Sequence, residues 1–182
     1  MIEIFLFIIG TAGLIFLSRA SLRAHTSHGF FRFFAWECLL ALFLLNMRYW
    51  FDHPFSLRQI VSWLSLVISV LLVVSGFIML RRKGKVSEQR KDAQLIGTEK
   101  TTTLVTEGVY RYIRHPLYSS LLFLAWGIFF KLPSWLGVLL GLITSVLIFL
   151  TAKAEERENI QYFGKSYQKY MKHTKMFVPF VL

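Results

Sequence analysis

The chain has 182 residues, 55% of them hydrophobic, and a formal net charge of +11; with a mean hydropathy of +0.53 this is the composition of one integral membrane domain, not of a soluble one. The positive charge would suit nucleic acid, but it sits in short segments between apolar runs, which fits a membrane face and anionic lipid headgroups and excludes a nucleic-acid groove. The single cysteine, Cys38, excludes an internal disulfide, and no Cys/His spacing resembles a zinc site, so no metal is expected.

Taken from the start, Ile2 to Leu17 is apolar apart from Glu3 and small residues. No basic segment precedes it and no small-residue cleavage site follows, so it reads as a retained first span. A polar connection from Ser18 to Arg32 carries Arg19, Arg23 and Arg32. The second span runs from about Phe33 to Trp50 and contains Glu37. A carboxylate at that depth is either a functional candidate or an interfacial group paired with Arg32 or Arg23. Phe51 to Arg58, with Pro54, is a turn. Ile60 to Leu80 is the cleanest span, and Arg81, Arg82, Lys83 and Lys85 follow it at once. Those charges place its end in the cytoplasm, and counting back puts the N-terminus outside. Residues 81–116 then form a cytoplasmic connection. Its polar part, 84–103, is either a linker or a lid in which Gln94 to Ile96 fold over a site.

Leu117 to Phe130 and Trp135 to Ala152 are too long together for one span and are broken by Lys131, Leu132, Pro133 and Ser134. They predict a helical hairpin over 117–152 whose first arm, roughly 21 Å long, is short for a bilayer. With the three spans of residues 1–80 this makes an all-α polytopic protein of five transmembrane helices. Its C-terminal segment, 153–182, lies on the same cytoplasmic face as the hairpin's entry.

The polar residues gather at the two feet of the hairpin. At the first, Arg114, His115 and Pro116 precede the apolar run. The residue before proline is pushed out of helical conformation and proline suits the first turn, so a helix starts at about Pro116 with His115 as its cap. Arg114, His115 and Tyr118 can there grip a charged metabolite, or else serve only as a positive flank and a cap. At the second foot, Glu155 and Glu156 continue the last helix past its apolar boundary. Adjacent positions point to different sides, so one of the two is expected to face His115. Tyr162, Phe163, Tyr167 and Tyr170 recur beside lysines, as in an amphipathic interfacial helix that anchors the tail.

The ordered set Leu104-Val105-Thr106, Gly108-Val109-Tyr110, Arg114-His115-Pro116-Leu117-Tyr118, the hairpin, Glu155-Glu156 and Phe163-Gly164 with Tyr167 and Tyr170 resembles the isoprenylcysteine carboxyl methyltransferase family. That family sits within a wider group of integral-membrane methyltransferases that includes phospholipid methyltransferases. The resemblance covers about Leu104 to Tyr170 and implies an enzyme that takes S-adenosylmethionine from the cytosol and methylates a prenylated, lipid or other lipophilic acceptor, in an inner or plasma membrane. Cofactor-binding positions carried over are Thr102, Thr103, Leu104, Val105, Tyr110, His115, Pro116, Leu117, Tyr118 and Glu155, and Arg114 beside them can take the cofactor's carboxylate. His115, Glu155 and Glu156 are the candidate catalytic groups. The carboxyl methyltransferases resemble one another in an arginine one turn before the glutamate, at the acceptor carboxylate; this chain has Thr151 there, which leaves the acceptor open.

Two other readings compete. Membrane sterol reductases look similar around the same hairpin but bind NADPH and carry further spans. A non-catalytic protein would use the basic face to hold anionic lipid or a partner. The sequence carries no signal for oligomeric state.

Overall fold

A backbone immersed in hydrocarbon must satisfy its own hydrogen bonds, so each apolar run closes into a helix. The computed structural model describes residues 1–85 and 101–178; Gln94 to Ile96, the candidate lid, lie outside them. The helices are α1 (Ile2–Leu22), α2 (His28–Asn46), α3 (Leu57–Lys83), α4 (Pro116–Phe129), α5 (Trp135–Phe163) and α6 (Lys165–His173). Of these, α1, α2, α3 and α5 are long and apolar enough to cross a membrane, and α4 is a shorter apolar helix. Among the described residues there is no strand, only an isolated parallel bridge between Ile113 and Lys175. The all-helical membrane architecture with a short first hairpin arm is therefore present.

The helices run further into the polar segments than hydropathy predicts. The connection expected over Ser18 to Arg32 shrinks to residues 23–27, where Ser27 caps α2 by accepting from Phe30 N. α5 continues for 29 residues to Gly164, whose φ of +59° turns the chain into α6.

α2 and α5 pack through Ala35, Ile148 and Ala152, where small side chains bring the backbones close. α3 and α4 pack through a different device. The buried positions of α3 are Gln59, Ser62, Ser69 and Gly76, while Leu64, Val67, Ile68, Val70, Leu71, Val73 and Val74 between them are exposed. Ser62 Oγ donates to Gly127 O at 2.7 Å and Ser69 Oγ to Ser120 O at 2.8 Å. In a bilayer apolar burial gives no contrast with lipid, so small residues and interhelical hydrogen bonds hold such a pair together.

Glu37 is held toward α1. Its Oε2 accepts from Thr11 Oγ1 of α1 at 2.8 Å, while the Arg32 guanidinium lies over the Trp36 ring, 4.9 Å from its centroid. Glu37 stands five positions beyond Arg32, which turns it to the α1 side of the helix. The feet of the hairpin gather with the end of α3 and the start of α2: His28 Nδ1 is 2.6 Å from Glu158 Oε2 of α5.

Candidate active site

The entry to α4 forms as its sequence requires. His115 is the cap and Pro116 the first helical residue, where proline's fixed φ fits and its missing N–H leaves no bond unmade. Ahead of it, residues 101–115 run as a strap across this end of the bundle. Thr102 N and Thr103 N donate to Gly84 O at 3.1 and 3.2 Å, and Thr102 Oγ1 donates to Lys85 O at 2.7 Å, which ties the strap to the end of α3. Gly108 turns it with φ +60°, and a Cβ there would lie 2.8 Å from Met79 Sδ, so both backbone and space call for glycine. The following turn, Gly108–Arg111, buries Tyr110.

The tail of the chain closes the strap from the other side. Arg114 N donates to Lys175 O at 2.9 Å, Lys175 N to Tyr112 O at 3.0 Å and His115 N to Met176 O at 3.2 Å. Ser119 Oγ donates to Phe177 O at 2.7 Å, and Tyr170 Oη donates to Tyr110 O at 2.6 Å. The backbone that presents Arg114 and His115 is thus held on both edges.

α5 supplies the carboxylates. Glu156 is buried, accepts from Arg114 Nε and from Lys153 Nζ at 3.1 Å, and places Oε1 3.6 Å from His115 Nε2. Arg114 Nη1 also donates to Thr174 O at 2.7 Å. Arg114 and Glu156 therefore form a buried pair that pins α5 to the strap. Glu155 lies with Oε2 3.8 Å from His115 Nδ1 and keeps 28% of its side chain exposed. The expectation that only one carboxylate faces His115 is corrected. The two positions are roughly 100° apart around the helix, but the imidazole sits in the sector between them, one nitrogen toward each. Its ring stacks on Tyr118, centroids 5.5 Å apart, and Nε2 is buried without a hydrogen bond.

Between these elements lies a crevice that opens to solvent. Leu104, Val105, Tyr110, Arg114, His115, Pro116, Leu117, Tyr118 and Glu155 line it. Four predicted positions do not. Thr102 and Thr103 are turned to the end of α3, with Thr101 lining in their place. Glu156 lies behind Arg114, and Thr151 is buried with its Oγ1 donating to Leu147 O of its own helix at 2.7 Å.

The wall also contains residues that sequence reasoning gave another role. Phe163, Tyr167 and Tyr170 line the crevice with Asn159, whereas Tyr162 stays half-exposed as an interfacial anchor would. Part of the signal was present in the spacing, since Tyr167 and Tyr170 fall on one face of α6, while Phe163 reaches the wall from the end of α5, before the turn at Gly164. Burial, with the Glu155 carboxylate nearby, pushes the Tyr110 and Tyr167 phenols well above their ordinary range, and burial does the same to Tyr170. All three remain neutral and offer ring faces and hydroxyls, not phenolates. The crevice thus sets five aromatic side chains and one accessible carboxylate around a space that an apolar helix enters, a combination suited to a cation carrying polar groups.

Residues 57–169 match the family model described as phospholipid methyltransferase. Among curated proteins, the chain is 33% identical over 130 residues to a protein-S-isoprenylcysteine O-methyltransferase of Xenopus laevis (69% of this chain, 44% of that protein). It is 34% identical over 131 residues to the Homo sapiens protein of the same name, with the same coverage of 69% and 44%. A methanethiol S-methyltransferase of Pseudomonas deceptionensis is 25% identical over 152 residues (75% of this chain, 55% of that protein). The chain thus spans about half the length of these relatives. No solved structure matches it.

Proposed function

The chain belongs to the phospholipid methyltransferase family, and from that premise we propose that it transfers a methyl group from S-adenosylmethionine to a lipophilic acceptor at the cytoplasmic face of a membrane. The observation that carries this reading is the convergence of the two hairpin feet on one crevice, with Glu155 of α5 3.8 Å from His115 at the cap of α4. The cytoplasmic side is supported by Arg81, Arg82 and Lys83, which end α3 at the same end of the bundle.

The residues present fit such a nucleotide. Glu155 accepts from its ribose hydroxyls or its amino group, and Tyr110, Tyr118 and Tyr167 set ring faces beside a sulfonium, each contact worth about 0.5–2 kcal/mol. His115 Nε2, buried and without a hydrogen bond, is the polar atom left over in this wall. Arg114 is engaged with Glu156 and Thr174, so its role is to orient the strap. When bound, the cofactor supplies an electrophilic methyl group on a sulfonium. The protein's part is to hold the acceptor in line and exclude water, because transfer to an anionic nucleophile cancels opposite charges and is favoured at low dielectric.

By their names, the relatives are O-methyltransferases of protein-S-isoprenylcysteine and an S-methyltransferase of methanethiol. In this chain Thr151, buried and bonded within its own helix, puts no cation beside an acceptor carboxylate. The reading that follows is a lipophilic thiol or amine in preference to a carboxylate. An amine must lose a proton, and His115 is then the group placed to take it. Thr151→Arg is expected to bring lipophilic acids into the substrate range; if none is methylated, the acceptor is chosen elsewhere.

Calorimetric titration of the detergent-purified protein with S-adenosylmethionine, S-adenosylhomocysteine and NADPH tests the reading. The two sulfur nucleotides are expected to bind and NADPH not to. Binding of NADPH alone, or of none of the three, overturns it.

A further inference from the structure

A second crevice lies on the far side of the strap and shares no lining residue with the first. It has about 610 Å³ of free space and is lined by Arg111 and Tyr112 of the strap and by residues 171–175 at the end of α6. Arg111, Lys172 and Lys175 are exposed, and none of them is paired with a carboxylate among the described residues. Nearby, Lys83 has Glu107 at 3.2 Å and Lys153 has Glu156 at 3.1 Å. Three unpaired cations from two segments, locked side by side through the Ile113–Lys175 bridge, form a concentrated positive site. The half-exposed Tyr112 beside them stands four residues before α4, at the depth where tyrosine marks a membrane interface.

The same tail segment leads from this crevice into an apolar groove. Phe177 and Val178 line it with Leu122, Phe123 and Trp126 of α4 and Phe149 of α5, around about 950 Å³ of free space. Its serines present no unpaired hydroxyl: Ser65 donates to Val61 O, Ser145 to Gly141 O and Ser119 to Phe177 O. Lys175 lines the crevice and Phe177 and Val178 line the groove, so the two spaces are joined by three residues of chain, at most about 10 Å, as a headgroup is joined to the top of an acyl chain.

We propose that crevice and groove together hold one anionic phospholipid, its phosphate among Arg111, Lys172 and Lys175 and one acyl chain along α4. A soluble phosphate would use only the crevice. Because Lys175 O and Met176 O accept from Arg114 N and His115 N, such a lipid would brace the strap that presents the candidate site, and this consequence rests on the reading of that site given above. Lipid binding itself does not.

The test is retention of phosphatidylglycerol over phosphatidylcholine by the full chain, read by native mass spectrometry. Phosphatidylglycerol has neither thiol nor amine, so its retention is independent of methyl transfer. The triple variant Arg111→Gln, Lys172→Gln, Lys175→Gln is expected to lower the preference by about tenfold or more. Arg19→Gln, Arg23→Gln, Arg82→Gln removes the same charge at the same end and is expected to leave it intact. Unchanged thermal unfolding verifies that each variant is folded. Equal loss in both triples, or full retention by the first, overturns the proposal. So does competition by inorganic phosphate as strong as that by short-chain phosphatidylglycerol, which would assign the crevice to a soluble anion.

Discussion

The two ends of the bundle bury charge in opposite ways. At the end holding the hairpin turn, Lys131 is fully buried, donates to Gln59 Oε1 at 3.0 Å and lies 3.3 Å from the centroid of the Trp63 ring. Gln59 Nε2 in turn donates to Tyr49 O at 3.0 Å and Asp52 O at 2.8 Å, and Arg58 joins Asp52 at 3.0 Å to Lys131 O at 2.7 Å. Each of these donors meets an acceptor, and the cluster fastens the turn of the hairpin to the start of α3. At the other end Arg114 and Glu156 are paired just as fully, yet the neighbouring Glu155 stays accessible and His115 Nε2 has no hydrogen bond. Buried charge alone does not mark a site. The difference lies in polar groups left short of partners beside free space.

Breaking the paired half of the second cluster has the largest expected effect. Arg114→Met leaves Glu156 buried without its guanidinium and Thr174 O without its donor, and is expected to cost about 3–5 kcal/mol in stability, measured by thermal unfolding in detergent. Gln59→Leu tests the saturated end. It removes the donors to two carbonyls and the acceptor for Lys131, at about 3 kcal/mol, and leaves the cofactor affinity of the remaining folded protein unchanged. If Gln59→Leu weakened binding as much as it weakened the fold, the two ends would not be separable.

The open half of the second cluster responds differently. His115→Ala and Glu155→Gln are each expected to weaken S-adenosylmethionine binding about 10- to 100-fold, equivalent to about 1.4–2.7 kcal/mol, with little change in unfolding temperature. Wild-type affinity in both variants would remove the site assignment.

The smallest effect is a pH dependence confined to the saturated end. Burial pushes the Lys131 ammonium down to about 8 from 10.5. Below pH 8 folded and unfolded chains both hold the proton. Between pH 8 and 10.5 the unfolded chain holds it and the folded one does not, so stability rises with pH by at most about 1.4 kcal/mol per unit. Lys131→Met is expected to abolish that slope in unfolding measured across the window.

Hydropathy made the helices legible, because span length and the charges after Leu80 are written in local composition. The Arg114-His115-Pro116 triplet likewise fixed where α4 begins, since proline acts on its immediate neighbours. Two features escaped for lack of a local trace. The pairing of residues 112–115 with 175–176 joins segments about sixty positions apart in a register that no periodicity announces. Lys131 reads in sequence as part of a helix break, and its burial arises only when Gln59 and Trp63 are folded against it. The inward face of Phe163, Tyr167 and Tyr170 lay between these cases: its spacing was visible in part, but tyrosines beside lysines match an interfacial anchor equally well.

The repeat of Ser62, Ser69 and Gly76 along α3 works as a ruler. Its two hydroxyls lock onto carbonyls of α4 at marks seven residues apart, so α4 cannot creep along its neighbour in small steps. The next position with the same fit is one heptad away, a slide of roughly 10 Å, and it would carry the capping histidine out of reach of both glutamates. The vertical setting of the catalytic candidate is therefore graduated in the middle of the bilayer, by side chains that never touch the crevice.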